Sequence, residues 1–152
     1  MPRSKLRASD VTALPIVAAL GADITVDTVT KDLFALPLPA AGSYLVEVVL
    51  LIEPGALAAS RDLTASLNAT NCTAMSLVGL WLRNGATPTV YAGATGTPQA
   101  YVLAHTANLR TRLLVHGLVV VSAPAVFTVT GVISAETAAI KVPSAVRAWR
   151  YA

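Results

Sequence analysis

Charge is what this sequence has least of. Lys, Arg, Asp and Glu together make up 12% of its 152 residues, against about 25% in an ordinary soluble domain. Aromatic residues reach only 5%, too few for the stacking platforms that sugar-binding clefts and single-stranded nucleic-acid grooves rely on. Cysteine occurs once, at Cys72, which excludes an intramolecular disulfide and a cysteine-based metal cluster. Long apolar runs are missing as well. Leu45–Ile52 contains Glu47 and ends at Glu53 and Pro54, and Leu113–Val121 contains His116 and Gly117. Neither approaches the roughly 20 residues that a membrane helix needs. The apolar strands do not show the polar-in, apolar-out alternation of a membrane barrel either, so no membrane partner is expected.

What remains is strongly apolar. The AVILMFWYC set accounts for 55% of the chain and the mean hydropathy is +0.64. A single domain of this length buries roughly 68–70% of the surface its unfolded chain exposes. With so little charge and no membrane span, part of the remaining apolar surface is expected to be covered by other subunits. No cofactor is expected, and the natural partner is the chain itself.

The charge that exists is unevenly placed. Residues 1–75 carry five Lys or Arg against seven Asp or Glu, and residues 76–152 carry six against Glu136 alone. Arg3, Lys5 and Arg7 form a basic cluster in residues 1–21, which read as an extended arm without a regular period. Three cations with no aromatic nearby fit a solvated or partner-docking tail better than a nucleic-acid-binding arm. The apolar stretch Val11–Leu20 is interrupted by Pro15 and lacks the cleavage pattern of a signal peptide. The sequons at Asn68 and Asn71 are therefore read as coincidental.

Residues 22–152 read as one all-β domain. Tyr44, Val46, Val48, Leu50 and Ile52 alternate without exception along Ser43–Glu53, the period of a strand with one face in a core. Further strands are expected over Asp32–Leu36, Asp62–Asn68, Thr73–Arg83, Thr89–Ala92, Gln99–Ala104, Arg110–Ser122, Val126–Ile133, Ala138–Val142 and Val146–Tyr151. Pro37 should stop the first of these, and Gly93–Pro98 should be a loop. Asn84-Gly85 signals a tight primed turn, and Ser122-Ala-Pro124 reads as a hairpin connection. No segment carries a 3.6-residue apolar period. Some eight to ten strands at this spacing imply an antiparallel β-sandwich or jelly roll.

The residues that could do chemistry do not form a pattern. His105 and His116 have no carboxylate beside them, and no G-x-S-x-G elbow is present. Eight scattered carboxylates give no metal or calcium spacing, and no phosphate-binding loop precedes a helix. No catalytic, cofactor-binding or metal-ligating residue is expected, and the chain reads as a non-enzyme. In Val146–Tyr151 the two-residue period puts Arg147, Trp149 and Tyr151 on one face. Long amphipathic side chains there suit a subunit interface.

Three stretches resemble a jelly-roll domain of tailed-bacteriophage structural proteins. They are Asp27–Phe34 leading into Ala41–Leu51; Asp62–Leu67; and Leu113–Val119 followed by Val126–Thr130 and Ser144–Arg150. The resemblance spans residues 25–152 and implies a homotrimer at a virion surface without enzymatic activity. A free-standing domain behind a short basic arm suits a capsid decoration, or cement, protein bound to a major capsid protein. Arg3, Lys5 and Arg7 would then dock on neighbouring capsid subunits. The alternative is a tail or baseplate component, with loops such as Gly93–Pro98 touching a host receptor.

Overall fold

The alternation centred on Tyr44 to Ile52 becomes a single long strand in a computed structural model of the chain. The structure describes residues 14–55, 60–83, 86–105 and 109–151, with the side chains of 92–95 left aside. Eleven strands account for the regular structure of these residues: β1 (Ile16–Ala19), β2 (Ile24–Val26), β3 (Lys31–Leu38), β4 (Gly42–Pro54), β5 (Arg61–Ala69), β6 (Cys72–Arg83), β7 (Thr89–Thr95), β8 (Gln99–His105), β9 (Thr111–Val121), β10 (Ala125–Ile133) and β11 (Ala138–Arg150). They form two antiparallel sheets. One runs β1-β11-β4-β9-β6-β7, with β2 also paired to β11, and the other runs β3-β10-β5-β8. From β3 to β10, every connection except β6–β7 crosses from one sheet to the other. That order is an eight-stranded jelly roll, and β11, β1 and β2 extend its larger sheet.

The core lies between the sheets. Tyr44, Val46, Val48, Leu50 and Ile52 of β4 and Met75, Leu77 and Trp81 of β6 face Leu36, Leu38, Leu63, Leu67, Leu103, Phe127 and Val129 from the smaller sheet. Each sheet thus contributes one apolar face per strand, and alternate residues point outward.

Several local expectations change. Ile16–Ala19, expected in the arm, pairs with Ala145–Ala148 of β11, because Ile16 and Ala18 alternate onto the core while Val17 points out. Pro37 does not stop β3. This strand sits at the edge of its sheet, where a missing N–H leaves no ladder bond unmade. Strand β7 continues to Thr95, so the bend is confined to Gly96–Pro98. Ser122–Pro124 is no hairpin: β9 and β10 lie in different sheets. The two expected terminal strands are one strand, β11, whose pairing with β4 slips between Lys141 and Ala145. Ser144, fully buried, fills that slip by accepting the Leu51 N–H at 2.8 Å and donating to the Lys141 carbonyl at 2.6 Å. Asn84-Gly85 lies outside the described residues.

Antiparallel order puts alternate connections at opposite ends of the sandwich. The end bearing the β4–β5, β8–β9 and β10–β11 connections carries nearly all the charge of the described residues. Among the described residues, only Glu47, Arg147 and Arg150 lie away from it. The other end is closed by uncharged turns whose polar groups are paired. Tyr44 donates its hydroxyl to the Ala40 carbonyl at 2.8 Å, the Asn71 amide donates to the Pro124 carbonyl at 2.8 Å, and the Ser122 N–H donates to the Asn71 carbonyl at 2.9 Å. Asn71 holds a φ of 51°, a left-handed conformation that asparagine tolerates better than most residues.

Candidate interaction surface

The two outward faces of the sandwich are dressed differently. On the smaller sheet, the middle strands β5 and β10 present Thr64, Ser66, Asn68, Thr128 and Thr130. Small residues such as Ala35, Ala100 and Ala104 flank them, with single valines at 102, 126 and 132. Hydroxyls and amides at this density hydrate the face.

The larger sheet turns bulky apolar side chains outward. One cross-strand row reads Ala19, Ala145, Val49, Leu114, Leu80 and Val90 across six strands. A second reads Trp149, Leu45, Leu118 and Ser76. Leu45 is 48% exposed, Val17 51%, Val78 37% and Val90 66%. An apolar strip spanning a whole sheet is rare on a protein that stays alone in water.

One charged row interrupts the strip: Arg147 lies directly opposite Glu47, and His116 lies opposite Glu47 on its other side. The Arg147 guanidinium donates to the Glu47 carboxylate at 2.8 Å. Glu47 and Arg147 are therefore compensated by each other. Beyond the Val49 row, Leu51, Leu82, Arg112 and Lys141 share the next outward row and with Arg83 and Arg110 line an open cleft of about 450 Å³ at the sheet's charged end. Two of these cations already hold carboxylates: Arg110 pairs with Glu53 at 2.6 Å and Lys141 pairs with Asp23. The Lys141 ammonium and the Val142 N–H hold the Asp23 carboxyl below the usual carboxylate range.

Of the candidates from the sequence, the structure places Arg147, Trp149 and Tyr151. Arg147 and Trp149 share the outward face of β11, half-buried among their cross-strand neighbours. Tyr151 follows the strand, exposed, its N–H donated to the Ser43 carbonyl. Arg3, Lys5 and Arg7 lie outside the described residues.

His105 is a core residue, 3% exposed. Its Nδ1 faces the Leu103 carbonyl at 3.0 Å, which can only accept, so Nδ1 carries the proton. Nε2 then accepts from the Thr111 hydroxyl at 3.1 Å. The ring stands edge-on to Trp81, 5.3 Å between centroids, and burial holds its pKa below the ordinary 6.5. Both ring nitrogens are occupied by the fold. Cys72 donates its thiol to the Ala74 carbonyl, and burial pushes its pKa up, the reverse of what a nucleophilic thiolate requires. Among the described residues no group of three or more His, Cys, Asp or Glu could hold a metal ion, and no helix is long and apolar enough to cross a membrane.

Sequence reasoning found Arg147 and Trp149 but missed the rest of the face. Leu45, Val49 and Leu51 were legible as the second face of β4. That the second faces of β6, β7, β9 and β11 join it required the strand order.

No family model matches the chain, and no curated protein matches it. Among solved structures it is similar to a chain in the structure of infectious bursal disease virus Gx strain, at 12% identity with a TM-score of 0.22. The alignment covers 91% of this chain and 36% of that one, so the chain spans about a third of that length. The fold assignment rests on the chain's own strand order, an all-β jelly roll with one outward sheet face hydrated and the other apolar.

Proposed function

We propose that this chain is a non-enzymatic structural protein of a virion, a homotrimer that decorates the capsid shell and stabilises it by bridging neighbouring capsid subunits. The observation that carries this reading is the apolar outward face of the seven-stranded sheet, on a jelly roll most of whose described charges sit at one end. A surface of that kind is stable in water only when covered, and a building block repeated at many symmetric sites is one way to cover it. The resemblance of Asp27–Phe34 with Ala41–Leu51, of Asp62–Leu67, and of Leu113–Val119, Val126–Thr130 and Ser144–Arg150 to phage jelly rolls supports a virion setting. In this reading Arg3, Lys5 and Arg7 belong to the contact with the major capsid protein, and no cofactor takes part.

Binding to the shell is a linkage effect: each copy that holds the assembled shell and not its dissociated subunits shifts the equilibrium toward assembly. Gold-labelled antibody against the chain, viewed on intact particles by electron microscopy, tests the location. Label spread over the head is the expected result. Label confined to the tail would remove the decoration role, and unlabelled particles would remove the virion role.

A further inference from the structure

The strongest unassigned feature is the apolar face itself, and the chemistry of its occupant can be read from it. We propose that the outward face of the seven-stranded sheet is covered by a second copy of this chain, with the rows through Val49 and Leu45 at the centre of the contact. This rests on the reading of the chain as a building block of identical subunits; like face on like face is a two-fold contact, so it joins subunits of neighbouring trimers rather than closing the trimer itself.

Three observations select a second copy over a foreign partner. The first is charge. A nucleic acid, an acidic peptide or a basic partner would be recognised by unpaired charge of the opposite sign. Glu47 and Arg147, at the middle of the face, are already paired with each other at 2.8 Å. A partner supplying charge gains little at this pair, and the cleft cations without a carboxylate partner among the described residues, Arg83 and Arg112, lie beyond the Val49 row at the charged end of the sheet, outside the contact proposed.

The second is shape. Outward valines and leucines on paired strands form the same kind of surface that this molecule packs internally, sheet against sheet. Two such faces interdigitate at about 10 Å separation.

The third is area. Four adjacent strands, β11, β4, β9 and β6, at roughly 4.8 Å spacing and about seven residues each, make a face on the order of 500 Å². Two copies then bury on the order of 1,000 Å², the least that a specific interface needs. The hydrated face of the smaller sheet offers no comparable strip, so the two faces of one subunit are not interchangeable.

The test uses the full chain in sedimentation velocity across a micromolar concentration series. Leu45→Glu places a carboxylate at the centre of the contact without touching the core. Val102→Glu places the same charge on the outward face of the smaller sheet, where Val102 is 50% exposed. The expected result is a wild-type oligomer, an unchanged mass for Val102→Glu, and a dissociation constant raised on the order of a hundredfold for Leu45→Glu. Leu45→Lys should act alike, since either sign of charge must be stripped of water, and urea unfolding of the isolated variants confirms that they fold. A wild-type oligomer whose mass survives both Leu45 substitutions overturns the face as the contact and leaves the virion reading standing. A wild-type monomer overturns the self-contact outright. Failure to find the chain in particles removes the virion role but leaves a Leu45-sensitive oligomer intact.

Discussion

Two residues carry disproportionate weight inside the sandwich, and each is constrained by a different kind of physics. Gly117 sits in β9 at a φ of 157°, with the backbone of β6 so close that a Cβ would stand 2.1 Å from the Ser76 carbonyl oxygen. Backbone cannot swing aside as a side chain can. Gly117→Ala should therefore lower stability by about 2 kcal/mol or more, read as a shift of the urea midpoint at unchanged slope. His105 is constrained by dehydration. Its pKa is depressed in the folded state, so the unfolded chain takes up a proton first as pH falls below about 6.5. Stability is then lost progressively between that point and the depressed folded value, with a slope of at most about 1.4 kcal/mol per pH unit. Above it, both states are neutral at this ring and the residue contributes no pH dependence. Urea midpoints measured from pH 7.5 to 5 should fall more steeply for the wild type than for His105→Gln. Parallel curves would mean that the ring is not held neutral by the fold.

At the scale of elements, period two was enough to find most strands but not to sort them into sheets. The alternation in β4, β5 and β10 is visible in the residues themselves, and the structure keeps these strands within a residue or two of their expected bounds. Strand β2 is three residues long and has no pattern of its own. It exists because Ala138–Ile140 offer it a ladder. Ser122–Pro124 has turn composition whether the chain doubles back within one sheet or crosses to the other, so only packing decides. Strand β11 reads as two strands because Pro143 and Ser144 break its alternation. The sheet absorbs the break by letting Ser144 stand in for backbone partners of Leu51 and Lys141. Ser144→Ala removes those bonds in a fully buried place, and a loss of about 1–3 kcal/mol is expected, measured by thermal or urea unfolding. By contrast, Glu47→Gln on the outer face of β4 breaks a pair whose side chains are more than 40% exposed. In the isolated subunit its effect should stay within about 1 kcal/mol.

At the scale of the whole molecule, the candidate surface was half legible. Composition alone says that apolar area must be covered, and the end of β11 gives Arg147 and Trp149. The location of the strip follows only when β11, β4, β9, β6 and β7 lie side by side, an order that no local signal encodes. Association through such a strip should also respond to salt in a characteristic way. Glu47 and Arg147 within the strip are paired with each other, and the cations Arg83, Arg112 and Lys141 lie beyond the Val49 row, so raising ionic strength has little Coulomb attraction to screen across the contact. Sulfate strengthens burial of apolar surface. The apparent dissociation constant should hold steady in sodium chloride and fall in ammonium sulfate, both by sedimentation. A dissociation constant that climbs steeply with sodium chloride would point to a charge-driven contact instead.

The crowding of charge at one end of the sandwich has a consequence for copies that have not yet found their place. Such a copy has a strongly charged pole and an unwetted flank, and in that respect it is built like a detergent molecule enlarged to the size of a protein. It should gather at air–water and oil–water boundaries with the pole of Arg110, Glu53 and Asp62 turned toward the water.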